Sequence, residues 1–206
     1  RTFKESAYLF MQQGSEAKAE EYGNVQIDWQ ACDLNIANQK NIVENFISQG
    51  YDAIVIEPCD SVSMVQQARE VRDAGISLIF IEQKMDGIAP DIWITGNNYQ
   101  LGCLQVEDFV KRWGEDQPAK CVMLAGSDGD YAAEEIKRGV QETVAKYPNL
   151  ELVFEQTIQD WDREKAMKSM EDAISVHGDA INAVFAANDG MALGAYKAAQ
   201  NAGLEK

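Results

Sequence analysis

The chain of 206 residues holds a single histidine, His177, placed at the end of a predicted surface helix and directly before Gly178. Imidazole-dependent catalysis therefore has one candidate, and a helix C-terminal cation accounts for it better. Basic charge is also scarce: 18 Lys and Arg stand against 34 Asp and Glu, for a net charge of -16. That balance repels phosphate backbones and anionic lipid, and no Lys/Arg cluster reverses it locally, so nucleic acid is not expected as a partner. No apolar run approaches the roughly 18 residues of a membrane-spanning helix, and no signal-peptide pattern is visible. The four cysteines, Cys32, Cys59, Cys103 and Cys121, form no CxxC pair and have no histidine nearby. Metal is thus not expected, which leaves them as small buried hydrophobes or, for two of them, one disulfide. GxGxxG and Walker-type loops are absent, and Asp128-Gly129-Asp130 lacks the remaining spacing and terminal Glu of a calcium loop. No cofactor is expected. Ala125-Gly126-Ser127-Asp128-Gly129 resembles a nucleophile elbow with its first Gly changed to Ala, but the lone His177 gives it no convincing base.

What is present is a β/α alternation in a chain that is 46% hydrophobic. The segment from Gly50 to Gln83 is the most legible. Ala53 to Glu57 is an apolar, β-branched run that reads as a strand buried on both faces. Ser61 to Ala74 carries Val62, Val65, Ala68 and Val71 at helical spacing, with Asp60 or Ser61 as N-cap and Gly75 at the end, and Ser77 to Ile81 is a second strand. The spacing predicts a right-handed βαβ crossover and therefore a parallel sheet. In open parallel sheets the ligand crevice lies outside the strands' carboxyl ends, which here read Glu57-Pro58-Cys59-Asp60 and Glu82-Gln83.

Before this unit, a helix is predicted over Ala7 to Tyr22 with Ala7, Phe10, Met11, Gly14 and Ala17 on one face. A strand follows over Val25 to Gln30, then a helix capped by Asn35 and reaching Gln49, with Ile36, Val43, Phe46 and Ile47 inward. A helix with no strand before it points to a missing first strand. After Gln83 a turn-rich loop leads to a short strand over Ile92 to Thr95, and Gly96-Asn97-Asn98 reads as a boundary. The alternation then restarts: a helix over Tyr99 to Trp113 with Leu101, Leu104, Phe109 and Val110 inward, and strands over Cys121 to Ala125, Leu150 to Gln156 and Ala183 to Ala187. Helices over Ala132 to Lys146, Arg163 to Val176 and Met191 to Ala202 accompany them. The pattern predicts two α/β lobes, residues 1–97 and 98–206, with a hinge near 96–98 and a ligand cleft between lobes.

The segments GYDAIVIEPCDS, DAGISLIFIEQ, GNNYQLG, QDWDREKAM and AVFAANDGMALGAYKAAQNAGL, in this order along essentially the whole chain, resemble the type I periplasmic binding proteins, in particular the ribose and galactose group of ABC-importer solute receptors. The resemblance implies two Rossmann-like lobes with parallel sheets flanked by helices, closing on a monosaccharide-sized ligand. It also implies that the first strand and the C-terminal crossings are absent from this stretch. The implied partner is an ABC permease in the membrane; the implied setting is extracytoplasmic, in a periplasm or tethered as a lipoprotein, as a monomer without catalysis.

The resemblance also implies ligand contacts. Tyr8 stands where an aromatic covers one sugar face, although Glu5-Ser6-Ala7 replaces the usual Asn-Pro-Phe. Glu82-Gln83 replaces the Asp-Arg pair, Asn98 matches the Asn of the hinge motif, Trp161 the second stacking aromatic and Asn188 the Asn of an Asn-Asp pair. Asp130 sits where galactose receptors carry an acid, and Glu134 where an arginine is usual. Sugars present C–H faces to rings and hydroxyl edges to planar carboxylates and amides, so these residue types suit the task. Each has a plainer alternative: local packing for Trp161, an N-cap for Asn188, solvated strand ends for Glu82 and Gln83, dipole compensation for Glu134. With both arginines replaced, the acids favour a neutral sugar or a cationic ligand such as an amino sugar. The effector domain of a LacI-type transcription regulator shares this fold and is the other functional class.

Overall fold

A computed structural model describes residues 6–204. The chain divides into two compact units, Arg1–Thr95 and Gly96–Lys206. Glu5 lies outside the described residues.

In the first unit, α1 (Ser6–Tyr22) and α2 (Ile36–Gln49) precede β1 (Ala53–Ile56), α3 (Val65–Asp73), β2 (Ser77–Ile81) and β3 (Ile92–Ile94). The sheet is parallel in the order β1-β2-β3, with Ile54 opposite Leu78 and Phe80 opposite Trp93. Asn35 caps α2 by accepting from the Asn38 N–H, and Gly50 ends it in the left-handed conformation at φ 72°. The core gathers Val43, Ile54, Ile56, Met64, Ala68, Val71, Leu78 and Phe80.

Several expectations fail here for identifiable reasons. β1 is not buried on both faces: Ile54 and Ile56 are buried, whereas Val55 is 52% exposed. Strand-like residues Val25 to Gln30 form no strand, because a strand needs a ladder and no described strand pairs with them. The Asp60 carboxylate accepts from the Val62 and Ser63 N–H groups and holds residues 60–64 as a turn, so α3 starts only at Val65. Val62 consequently faces solvent and Met64 enters the core in its place. In α1 the less exposed side runs through Tyr8, Met11, Gln12, Ser15 and Ala19; of the apolar face read from the sequence Met11 lies on it, whereas Ala7, Phe10, Gly14 and Ala17 are exposed. The Tyr8 hydroxyl of this helix donates to Glu57, and Ala19 is buried. Ile36 is likewise more exposed than expected, because the buried side of α2 runs through Gln39 and Val43.

The second unit comprises α4 (Asn98–Trp113), β4 (Ala119–Ala125), α5 (Tyr131–Val144), β5 (Leu150–Thr157), α6 (Arg163–His177), β6 (Ile181–Ala186) and α7 (Asp189–Asn201). Its sheet is parallel, in the order β5-β4-β6. Central β4 is buried at every residue except Lys120, which is the continuous apolar pattern of a strand covered on both faces. α4 packs on α5 and α6 on α7. Both pairings are backbone-close. A Cβ at Gly102 of α4 would lie 2.2 Å from the Ile136 carbonyl oxygen, one at Gly139 of α5 would lie 2.2 Å from that of Tyr99, and one at Gly194 of α7 would lie 2.3 Å from that of Arg163. This approach sets the rotation of α4. Gly102, Cys103, Val106 and Val110 face inward, while Leu101 and Leu104, expected in the core, are 46% and 49% exposed.

Candidate functional site

The carboxyl ends of β4, β5 and β6 each carry one residue singled out in the sequence, and in the second unit these residues touch. Asp130 ends the loop after β4 as the N-cap of α5, its Oδ1 accepting from the N–H groups of Ala132 and Ala133 at 3.1 and 3.3 Å. Its other oxygen accepts the indole N–H of Trp161 at 3.0 Å. Trp161 closes the loop after β5, and its ring lies over Gly126, where a Cβ would come within 2.5 Å of it. Asn188, after β6, caps α7 through the Met191 N–H at 2.7 Å, and its Nδ2 makes a long 3.5 Å contact with the Trp161 carbonyl. Asp130 and Gly126 therefore fix the ring, and Asn188 contacts the backbone that carries it.

The loop that presents it is strained. Asp160 and Trp161 both have positive φ, at 64° and 55°. Side chains fasten that conformation: the Ser127 hydroxyl accepts from the Asp160 N–H at 2.8 Å, and Lys165 pairs with the Asp160 carboxylate at 2.7 Å. A non-glycine residue in this region persists only where its surroundings over-determine it. Ser127, the centre of the elbow-like motif, thus supports the loop, and His177 occupies the last turn of α6.

Asp130 and Asn188 bind inward as caps and props, so most of their hydrogen-bonding capacity is occupied. Asn98 differs. It is the first residue of α4, the cap itself being Asn97, and it is 9% exposed with an Nδ2 that donates to no described residue. Glu134 stands exposed in the first turn of α5, where a carboxylate complements the helix dipole.

In the first unit, Tyr8 donates to Glu57 Oε1 at 2.8 Å at the carboxyl end of β1. Glu82 leaves β2 at φ 55°, its N–H donating to Ile94 at 2.8 Å, and Gln83 beside it is buried. Glu57 belongs to the strand end expected at the crevice, whereas Gln39 carries no expectation from the sequence. Buried Gln39 spans the loop after β1, donating to the Glu57 carbonyl at 2.7 Å and accepting from the Cys59 N–H at 2.8 Å. Its signal was available: a polar side chain at helical spacing from Val43, on the inner face of α2.

Residues 2–206 match the family model described as a periplasmic binding protein domain. The chain belongs to this family. Among relatives of the periplasmic binding protein domain, it is 28% identical to a xylitol-binding protein of Mycolicibacterium smegmatis over 182 residues, 87% of this chain and 51% of that protein. It is 32% identical to a D-apiose import binding protein of Paraburkholderia graminis over 159 residues, 76% of this chain and 49% of the relative. The chain thus spans about half the length of these curated relatives. Among solved structures, a solute-binding protein of Actinobacillus succinogenes with bound D-allose superposes with a TM-score of 0.89 at 26% identity, over 98% of this chain and 72% of that one. The expected fold class, α/β with helix-flanked parallel sheets, is the fold of these binding proteins. No helix among the described residues is long and apolar enough to cross a membrane.

Proposed function

We propose that the chain is part of an extracytoplasmic solute-binding receptor that captures a monosaccharide or sugar-like polyol and presents it to the permease of an ABC importer, as a monomer and without catalysis. The observation that carries this reading is the indole of Trp161, held over Gly126 by Asp130, with Asn188 against its backbone carbonyl, where three parallel strands end. A ring fixed in this way offers a preformed apolar face to sugar C–H groups, and the buried Nδ2 of Asn98 is a donor in want of an acceptor. In the first unit Tyr8 is the candidate sugar-covering ring and Glu82 and Gln83 are candidate edges, and Glu134 serves the α5 terminus. The relatives named above are binding proteins, which supports a receptor over a transcription regulator.

A thermal-shift panel of pentoses, hexoses, inositol, amino sugars and polyamines tests the proposal on the full-length protein. Ligand at a hundred times its dissociation constant adds about 2.7 kcal/mol of stability. One neutral sugar is expected to raise the midpoint, and Trp161→Ala to remove the rise. Asp130→Ala is expected to weaken binding as well, while the lost cap lowers the unliganded stability by about 1 kcal/mol. A rise only with cations would replace the sugar with an amine. A sugar-induced rise unchanged in Trp161→Ala would remove the indole from the site.

A further inference from the structure

Two of the four cysteines meet beside the carboxyl end of β1. Cys32 and Cys59 are 27 positions apart in sequence, and their sulphurs lie 3.1 Å apart as a hydrogen-bonded thiol pair. We propose that Cys32 and Cys59 are a disulfide site, closed by exchange with a disulfide-bearing oxidant, that ties the turn after residue 31 to the loop following β1.

The geometry needs little change, since about 1 Å of closure separates this contact from an S–S bond of about 2.05 Å. Both backbones are held in place. The Cys59 N–H donates to the side chain of buried Gln39, and the Cys32 carbonyl accepts from the Asn35 N–H at 2.9 Å. Between them sits a turn with two consecutive non-glycine residues at positive φ, Asp33 at 49° and Leu34 at 60°. Such a turn persists where its neighbours fix it, and a covalent tie at Cys32 would do so. The two thiols also differ in access: Cys32 is 2% exposed and Cys59 is half-buried. The hydrogen bond with Cys59 lowers the Cys32 thiol to about 5 against the opposing effect of burial, which favours its thiolate as the second attacking sulphur.

The remaining cysteines have no such chemistry. Cys121 lies inside β4, and burial pushes its thiol up to about 11. Cys103 is buried on α4, its thiol directed at the Gly139 carbonyl at 3.7 Å.

The exchange proceeds in two displacements. The Cys59 thiolate, which an oxidant can reach, attacks one sulphur of R–S–S–R; the S–S bond breaks and the first thiolate leaves with the bonding pair and takes up a proton. The Cys32 thiolate then attacks Cys59 Sγ, expelling the second thiolate, which is also protonated. Two thiols of the protein lose two electrons and two protons in total, and one external disulfide becomes two thiols.

The test uses the full-length protein, first reduced and then equilibrated with glutathione disulfide, and depends on no sugar. Thiol titration after unfolding is expected to find two fewer thiols than in the reduced sample, and peptide mapping to find Cys32 joined to Cys59. Reduction of the oxidised protein is expected to lower its thermal midpoint by about 10 °C. Cys32→Ser should trap glutathione on Cys59, whereas Cys59→Ser should take up none. An unchanged thiol count, a link through Cys103 or Cys121, or a stable glutathione adduct on the wild-type protein would each overturn the proposal.

Discussion

The two units run the same alternation of parallel strands and helices, yet they bury it differently. In the second unit β4 is covered on both faces, and the helices pair through backbone contacts at Gly102, Gly139 and Gly194. In the first, the described helices leave one face of the sheet open: Val55, Ile92 and Ile94 are all more than half exposed. At the strand ends of the second unit Asp130 and Asn188 both contact Trp161; in the first unit Tyr8 donates to Glu57, and Glu82 and Gln83 follow β2. Among the described residues, coverage of both sheet faces thus distinguishes the second unit from the first.

The largest test of this contrast lies in the first unit. Phe80→Ala empties a fully buried position, with an expected loss of about 4 kcal/mol, while Val55→Ala on the open face of the adjacent strand should change stability by no more than about 0.5 kcal/mol. Urea unfolding followed by unit-resolved hydrogen exchange reads both. Equal losses would mean that the face is covered in solution and would break the comparison. Next comes Gly139→Ala. The added methyl meets the Tyr99 carbonyl oxygen at 2.2 Å and the Cys103 nitrogen at 3.0 Å. A loss of about 3 kcal/mol, confined to the second unit's exchange protection, is expected.

The smallest effect is a pH dependence in the first unit. Hydrogen bonds from Ser63, then from Val62, hold the Asp60 carboxyl below its ordinary value of 3.8, against a small opposing effect of burial. A group lowered on folding contributes stability above its unfolded value and loses it as pH falls through the folded one. The turn at 60–64 is thus expected to loosen in acid below about pH 4, and Asp60→Asn to lack that step; amide exchange at Ser63 measures it.

Legibility in the sequence follows the same division. The strands of the βαβ segment and the whole alternation of the second unit could be read from apolar runs, and Asn35 and Asn188 could be read as caps because each acts on the helix it precedes. The family resemblance carried the fold class. What could not be read is tertiary. The rotation of α4 depends on a glycine two elements away, and the apolar period through Leu101 and Leu104 points to the wrong side. Val25 to Gln30 has strand composition without a described ladder partner. Around Trp161 the sequence shows an aromatic and an acid 31 residues apart, but not the hydrogen bond that joins them. For Gln39 the spacing from Val43 marks the inner face of α2, but its partners in the loop after β1 are tertiary and leave no mark in the sequence.

The glycine crossing of α4 and α5 has a mechanical side. Layers of interdigitated side chains let packed helices slide by small rotamer changes. Between Gly102 and Gly139 no such layer exists, so the pair has little shear compliance and acts as one stiff beam. Asn98 begins one member of that beam and Asp130 caps the other. A displacement imposed at Asn98 is delivered to Asp130 with little lost motion, and from there, through one hydrogen bond, to the orientation of an indole.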